Sequence, residues 1–408
     1  MADSITYWAW NVAARAMDDA ASDLPDDVGV PSYEAENEGA TITVEELGDN
    51  VHEQRFQTAV TSGTGAPDLT ALQNYDMLTY ASQDSLTDVT DRIDEAGIRE
   101  DIVAGKWRAV QYGGQDFGLP WDLGPTGMYY KRDQYADAGI DPDAIETWDD
   151  FIEEGQKLPD DAAMINLPQS DELPQFWRML FRQLGGQPIT EDGAVNIHSE
   201  ESVRVAQLIA DLQDSGITRT VGMWSSSWFT AFAEGTIATL PSAAWMDGTL
   251  RAELPDTAGN WGVYKLPAFE EGGNRASNRG GSNVAIPAQI EDEGKVSRAW
   301  DYALYVMTTP EIQNYMLEEY GLFPSLSTAY NADLYEESQD FYDGQAIYSL
   351  FAEVAENIEP YRYNEIQTEI NNAISTELDN LLNGDKSPEQ AMQDAAETVA
   401  DREDRDLA

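Results

Sequence analysis

Along the first 120 residues, runs in which every second position is apolar alternate with runs of period three to four. Ile5-Thr6-Tyr7-Trp8-Ala9-Trp10 reads as a first strand, Ile42-Thr43-Val44 is a short β-branched run, and Pro67-Asp68-Leu69-Thr70-Ala71-Leu72 reads as a buried strand. Between the last two, Val51, Phe56, Ala59 and Val60 fall at helical spacing, and Ser62-Gly63-Thr64-Gly65 marks a turn. Strand–helix–strand units of this length predict a parallel sheet with crossover helices. Residues 22–39, with Pro25, Gly29, Pro31 and many acids, read as an exposed loop.

Farther on, Phe117 to Pro120 is another strand, followed by Trp121-Asp122-Leu123-Gly124-Pro125-Thr126-Gly127 and then the apolar Met128-Tyr129-Tyr130. Two glycines and a proline between two apolar runs suit a crossing between lobes. Thr147-Trp148-Asp149-Asp150 predicts a capped helix start. Thr309-Pro310-Glu311 predicts a second start, with proline at the first helical position and Gly321 at the stop. Ile366, Ile370, Ile374, Leu378 and Leu381-Leu382 repeat at helical spacing up to Gly384. Ser387-Pro388-Glu389-Gln390 then opens a last helix carrying Ala391, Met392, Ala395 and Val399, so the chain after about 297 reads as mainly helical.

A length of 408 residues exceeds what one core supports, and two lobes are expected. Charge changes the picture most: 76 acids against 23 bases leave −53, and the acids are spread along the chain. Disorder would need few aromatics, whereas there are 11 Trp and 19 Tyr. A folded protein with an acidic surface suited to high salt is the reading we adopt, since salt screens the self-repulsion. Nucleic acid and anionic membranes would be repelled, and Lys131-Arg132 is the densest basic pair. Cysteine is absent, and no apolar run has the length to span a bilayer. After Met1-Ala2-Asp3 the chain enters its first strand without a signal-peptide pattern. An exported protein would here be in its mature form with an added initiator Met, its signal peptide or lipoprotein-type anchor belonging to the precursor.

Catalytic and metal-binding patterns are missing. His52 and His198 are isolated, there is no His-Glu-x-x-His, nucleophile elbow or phosphate-binding glycine loop, and Asp141-Pro142-Asp143 lacks the rest of a calcium loop. No cofactor and no metal is expected. What stands out is a set of aromatics in polar, Gly/Pro-rich surroundings. Trp8 and Trp10 end the first strand, Trp121 adjoins Asp122, and Trp177 follows Gln175-Phe176. Trp224 and Trp228 bracket three serines, and Trp245 precedes Met246-Asp247-Gly248, which reads as a loop opening from a strand. A flat ring packs against the C–H face of a sugar while nearby carboxylates and amides bond its hydroxyls. The alternative for each ring is packing in a core or between lobes.

The stretch from Gly118 through Trp121-Asp122-Leu123-Gly124-Pro125 to Lys131-Arg132-Asp133, followed by Ala138-Gly139-Ile140 and Thr147-Trp148-Asp149-Asp150-Phe151, resembles the signature of family 1 extracellular solute-binding proteins. This is the maltose-binding-protein-like, carbohydrate-type family of ABC importers. Ala66-Pro67-Asp68-Leu69, Phe232-Ala233-Glu234-Gly235-Thr236-Ile237-Ala238, Gly280-Gly281-Ser282, Ala285-Ile286-Pro287 and Gly321-Leu322-Phe323-Pro324 follow in the family's order. Trp245 falls where the family often has a ligand-stacking aromatic. The first ligand loop departs from that pattern: Gln73-Asn74-Tyr75-Asp76 has no tryptophan, which argues against a malto-oligosaccharide.

The resemblance implies a two-lobed α/β fold of the type II periplasmic-binding-protein class, each lobe a mixed, mainly parallel sheet flanked by helices, with a mainly helical C-terminal part. Lobe 1 would comprise 1–122 plus 284–322 and lobe 2 would comprise 124–280 plus 325–408, with crossings near 122–126, 280–286 and 320–326. The expected function is capture of a small sugar in the interlobe cleft, hinge closure around it and delivery to the ABC permease. Such a protein would be extracellular, monomeric and without catalytic activity. The ligand set implied is Trp10, Asn11, Asn74, Tyr75, Trp121, Asp122, Gln175, Trp177, Trp224, Trp228, Trp245, Asp247, Arg279, Gly281, Ser282 and Phe323. Two alternatives stay open: a secreted carbohydrate-active hydrolase with an Asp/Glu pair, and a binder of a polyamine or polyol phosphate.

Overall fold

Two five-stranded sheets organise the chain. The structure, a computed structural model, describes residues 1–408, the side chains at 49 and 50 excepted. Its contacts divide into two units: Met1–Leu123 with Gly280–Ala332 and Tyr363–Glu365, and Gly124–Arg279 with Asp333–Arg362 and Ile366–Ala408.

In unit 1 the strands lie in the order Thr41–Leu47, Ser4–Trp10, Leu69–Gln73, Ser282–Ala285 and Leu119–Pro120. The first three run parallel, and Ser282–Ala285 is antiparallel to both of its neighbours. The helix Glu293–Thr308 packs on Ser4–Trp10 through a face that buries Ala299, Tyr302, Ala303 and Val306. Asp292 starts that helix by accepting from the backbone N–H of Gly294 at 2.8 Å and of Lys295 at 3.2 Å. The next helix, Pro310–Tyr320, has its proline at the first turn and ends at Gly321 with φ 73°, a conformation a side chain would resist.

Three expectations change in this unit. In the helix Asp49–Ser62 the inward positions are His52, Phe56 and Ala59, while Val51 is 55% exposed. The buried stripe runs i, i+4, i+7 from the histidine, which finds a partner for its ring nitrogen in Thr70 Oγ1 at 3.0 Å. Residues 22–39 contain short helical turns rather than only loop, and Tyr33 is buried there. Its hydroxyl donates to Asp301 and accepts from Arg298, partners more than 260 residues away that no local pattern announces. The chain also remains in unit 1 through Ala332: Phe323–Pro324 pairs with Asp122–Leu123, and the N–H of Ser325 bonds Trp121 O.

In unit 2 the order is Thr218–Arg219, Ala163–Asn166, Ile237–Ala243, Thr126–Lys131 and Trp261–Lys265. All of Ile237–Ala243 is buried, so it reads as a continuous small and apolar run rather than an alternating one. Thr147 makes the reciprocal cap expected of it: its Oγ1 accepts from Asp150 N–H at 3.2 Å and its own N–H donates to the Asp150 carboxylate at 2.8 Å. The helices Gln367–Leu382 and Pro388–Glu403 pack on each other, the second capped by Ser387. Among the described residues no helix is long and apolar enough to cross a membrane.

Candidate functional site

Strand direction gathers the candidate residues of unit 1 along one sheet edge. Ser4–Trp10, Leu69–Gln73 and Leu119–Pro120 all run the same way, so Trp10-Asn11, Asn74-Tyr75 and Trp121-Asp122 leave the sheet from the same side. The opposed strand enters there, with Ser282 facing Gln73 in register. Carboxyl ends of parallel strands are where ligands of open α/β sheets collect.

Side-chain bonding separates these residues by role. The Asn74 amide donates to Gly280 O at 2.8 Å and Tyr363 Oη at 3.1 Å, and its oxygen accepts from Lys106 Nζ at 2.6 Å and Asn283 Nδ2 at 3.1 Å. Those four bonds exhaust an amide, so Asn74 organises the edge and has nothing left for a solute. The Asp122 carboxylate accepts from the N–H of Ser282 at 2.7 Å and from its hydroxyl. Burial raises its pKa, against the opposing pull of Lys106 and the Ser282 bonds. Asp122 thus pins the strand Ser282–Ala285. Trp121 and Phe323 are buried, whereas Asn11 is exposed and Trp10 and Tyr75 are half-buried. Gly281, at φ 94°, leaves no room for a side chain: a Cβ would stand 2.8 Å from Asn74 Nδ2 and from Asp122 O.

Unit 2 brings a second group to the same end of its own sheet. The strand Ile237–Ala243 leads through Ala244 to Trp245, and a helix, Met246–Glu253, begins at once. The loop expected after Trp245 is therefore helical, and Asp247 is buried in its first turn. Its carboxylate accepts from Tyr342 Oη and Tyr348 Oη, each at 2.9 Å, and pairs with Arg251 at 3.1 Å. Burial first, and then Asp247, push the Tyr342 hydroxyl well above its ordinary pKa. Asp247 is a tether rather than a free acceptor.

Trp177 and Trp228 are core residues, 1% and 0% exposed. Trp177 stacks on Phe181 with centroids 4.6 Å apart, and Trp228 meets Phe229 and Phe232 edge-on. Gln175 is half-buried on the helix Glu172–Gln183. Arg279 is buried and paired with Glu172, and its main-chain oxygen accepts from Trp245 Nε1 at 3.0 Å. Its guanidinium lies 6.0 Å from the Trp245 ring.

Trp224 differs from all of these. It is 44% exposed and holds φ 64°, its ring 5.9 Å from Trp245 and 5.5 Å from Trp228. Its Nε1 donates to Glu172 Oε1 at 2.8 Å. The result is an exposed indole on a built support of Trp245, Trp228 and Glu172. Glu172 and Lys106 had no distinguishing local signal: one is an acid among 76, and the other's partners are scattered through the chain. Among the described residues no group of three His, Cys, Asp or Glu side chains could hold a metal ion.

Comparison with known proteins gives a consistent picture. Residues 30–342 match the family model for bacterial extracellular solute-binding protein. A lactose-binding protein of Rhizobium radiobacter is 26% identical over 411 residues, covering 97% of this chain and 92% of that protein. An arabinooligosaccharide-binding protein of Halalkalibacterium halodurans is 25% identical over 362 residues, 86% of this chain and 80% of that one. Among solved structures, the ABC-transporter-associated binding protein of B. animalis subsp. lactis in complex with β-1,6-galactobiose superposes with a TM-score of 0.81 at 24% identity, over 98% of both chains. The galacto-N-biose/lacto-N-biose I-binding protein of Bifidobacterium longum gives 0.80 at 20% identity, over 99% of this chain and 98% of that one. These likenesses place the fold in the type II periplasmic-binding-protein class.

Proposed function

This chain belongs to the bacterial extracellular solute-binding proteins, and from that premise we propose that it is the sugar-capturing component of an ABC importer. The solute is a neutral oligosaccharide of two or more rings, handed intact to the membrane permease. The ligands of its relatives, lactose and arabinooligosaccharide, and of a structural neighbour, β-1,6-galactobiose, support that class.

The observation that carries the reading is Trp224. An exposed indole in the left-handed region is unfavourable for a residue with a bulky side chain. It is held there by the stack on Trp245 and the bond to Glu172, so the ring is presented before any solute arrives. A pyranose C–H face covers such a ring well. The Glu172 oxygens each keep acceptor capacity beyond Trp224 and Arg279, which suits a hydroxyl at the sugar's rim. Because Glu172 and Arg279 neutralise each other, the platform favours an uncharged solute over a polyamine or a phosphate.

On this reading the protein is monomeric, binds no nucleic acid, works outside the cell anchored at the cell surface, and catalyses nothing. A thermal-shift screen in molar salt across mono-, di- and trisaccharides, followed by titration calorimetry, tests it. A galactosyl or arabinosyl oligosaccharide raises the melting point and is recovered unchanged after prolonged incubation. Cleaved sugar would replace the binder with a hydrolase, and no shift with any saccharide would remove the sugar.

A further inference from the structure

Lys106 sits on the short 3-10 helix Ala104–Ala109 and is 3% exposed. A buried ammonium is costly unless its donors are satisfied. Here they reach three oxygens on three separate segments of unit 1: Asn74 Oδ1 at 2.6 Å, the main-chain oxygen of Asp122 at 2.7 Å and that of Ser282 at 2.8 Å. Asp122 is the residue before the last of Met1–Leu123, and Ser282 is the third residue of Gly280–Ala332. The ammonium therefore ties together the point where the chain leaves unit 1 and the point where it returns, and adds the loop that follows the strand Leu69–Gln73.

The surroundings are built around that tie. Asn74 is saturated with Lys106 as one of its four partners. Its N–H bonds Gly281 O at 3.0 Å. A Cβ on Gly281 would come within 3.3 Å of Lys106 Nζ, so this backbone lies directly on the ammonium cluster. The charge is not required to join the strands themselves, which are already paired by backbone bonds. What it fixes is the position of the chain just beyond the strand ends, at Tyr75, Asp122 and Gly281.

We propose that Lys106 is a positioning residue for solute recognition: its ammonium sets the unit 1 edge that carries Tyr75 and Gly281, without touching the solute. The proposal rests on the sugar-binding reading, and one arm of its test is independent of any sugar. In molar salt, Lys106→Met in the full chain is compared with the unaltered protein. In the absence of sugar, the amides of Asn74 and Ser282 exchange with solvent at least about tenfold faster in the variant, while those of Ser4–Trp10 keep their rates. The affinity for the best sugar of the screen falls about tenfold or more. Lys106→Gln, which keeps two donors, gives a smaller loss in both and carries the same measurements if Lys106→Met does not fold. Unaltered affinity overturns the proposal, and so does a lower melting point with unaltered exchange at Asn74 and Ser282, the behaviour of a plain core residue. If the unaltered protein binds no sugar, the sugar reading falls, and the exchange rates decide the role of Lys106 in shaping the edge.

Discussion

Trp224 holds its ring 5.9 Å from that of Trp245 with the two planes 29° apart, while its own backbone sits at φ 64°. The two residues do different work. Trp245 is anchored, its Nε1 bonded to Arg279 O, and belongs to the scaffold. Trp224 is the outermost ring and has surface left to give.

Trp224→Gly should therefore weaken sugar binding without weakening the fold. Glycine accepts the left-handed backbone at no steric cost. Covering about 80 Å² of apolar surface at ~25 cal/mol per Å² gives about 2 kcal/mol, or about 30-fold in affinity. Calorimetric titration reads the affinity, and the melt of the sugar-free variant should stay within about 2 °C of the unaltered protein. Trp245→Ala should lower both, because it also removes the support beneath Trp224.

Trp228→Ala should show the converse. A fully buried indole replaced by alanine costs about 3–5 kcal/mol of stability, and Trp228 is 0% exposed. Chemical unfolding of the variant should lose that much, while the affinity of its folded fraction falls less than that of Trp224→Gly, because Trp245 and Glu172 still hold the Trp224 ring. An affinity loss as large as that of Trp224→Gly would return Trp228 to the solute platform.

Local pattern carried the regular elements well: the Thr147 cap, the proline start at Pro310 and the stripe through Ile370, Ile374 and Leu378 are all present. Side-chain role was less legible, for physical reasons. Trp177 and Trp224 both stand beside polar residues, but the first is turned inward by its helix and the second outward by one left-handed residue. At Asn74 the sequence shows a polar group at a strand end and conceals that Lys106 and Tyr363, 32 and 289 residues away, consume it. Gly248 suggested a loop after Trp245, yet it lies inside the helix Met246–Glu253.

His52 should make stability fall below neutral pH. Burial lowers its pKa to about 4, outweighing a backbone bond to Trp8 that favours the proton. An unfolded chain takes up that proton near pH 6.5. Between about pH 6.5 and 4 the unfolded state thus binds more protons, and stability drops by up to about 1.4 kcal/mol per pH unit. His52→Gln loses the dependence and not merely the Thr70 contact. Unfolding free energies of the two proteins, measured in molar salt at half-unit steps, should converge as the pH falls through that window. A constant gap would mean that His52 titrates alike in the folded and the unfolded chain.

Salt should stabilise the fold through screening of crowded acids. Asp18 shows the crowding locally: burial raises its pKa first, and the neighbouring Asp19, Glu34 and Asp23 raise it further. Ion pairs such as Arg15–Glu46 and Arg55–Glu45 lose strength in salt, but 23 bases cannot offset 76 acids. Screening therefore removes more repulsion than attraction. The Debye length shrinks from about 10 Å at 0.1 M to about 3 Å at 1 M. A gain of several kcal/mol over that range would raise the melting midpoint by on the order of 10 °C for a chain of this size. Sodium and potassium chloride should act alike at equal ionic strength, because screening depends on charge and concentration. Sucrose, which strengthens burial by exclusion and screens nothing, should give no comparable rise at low salt. A midpoint independent of chloride would remove the high-salt reading and leave the acidic surface without a role in stability.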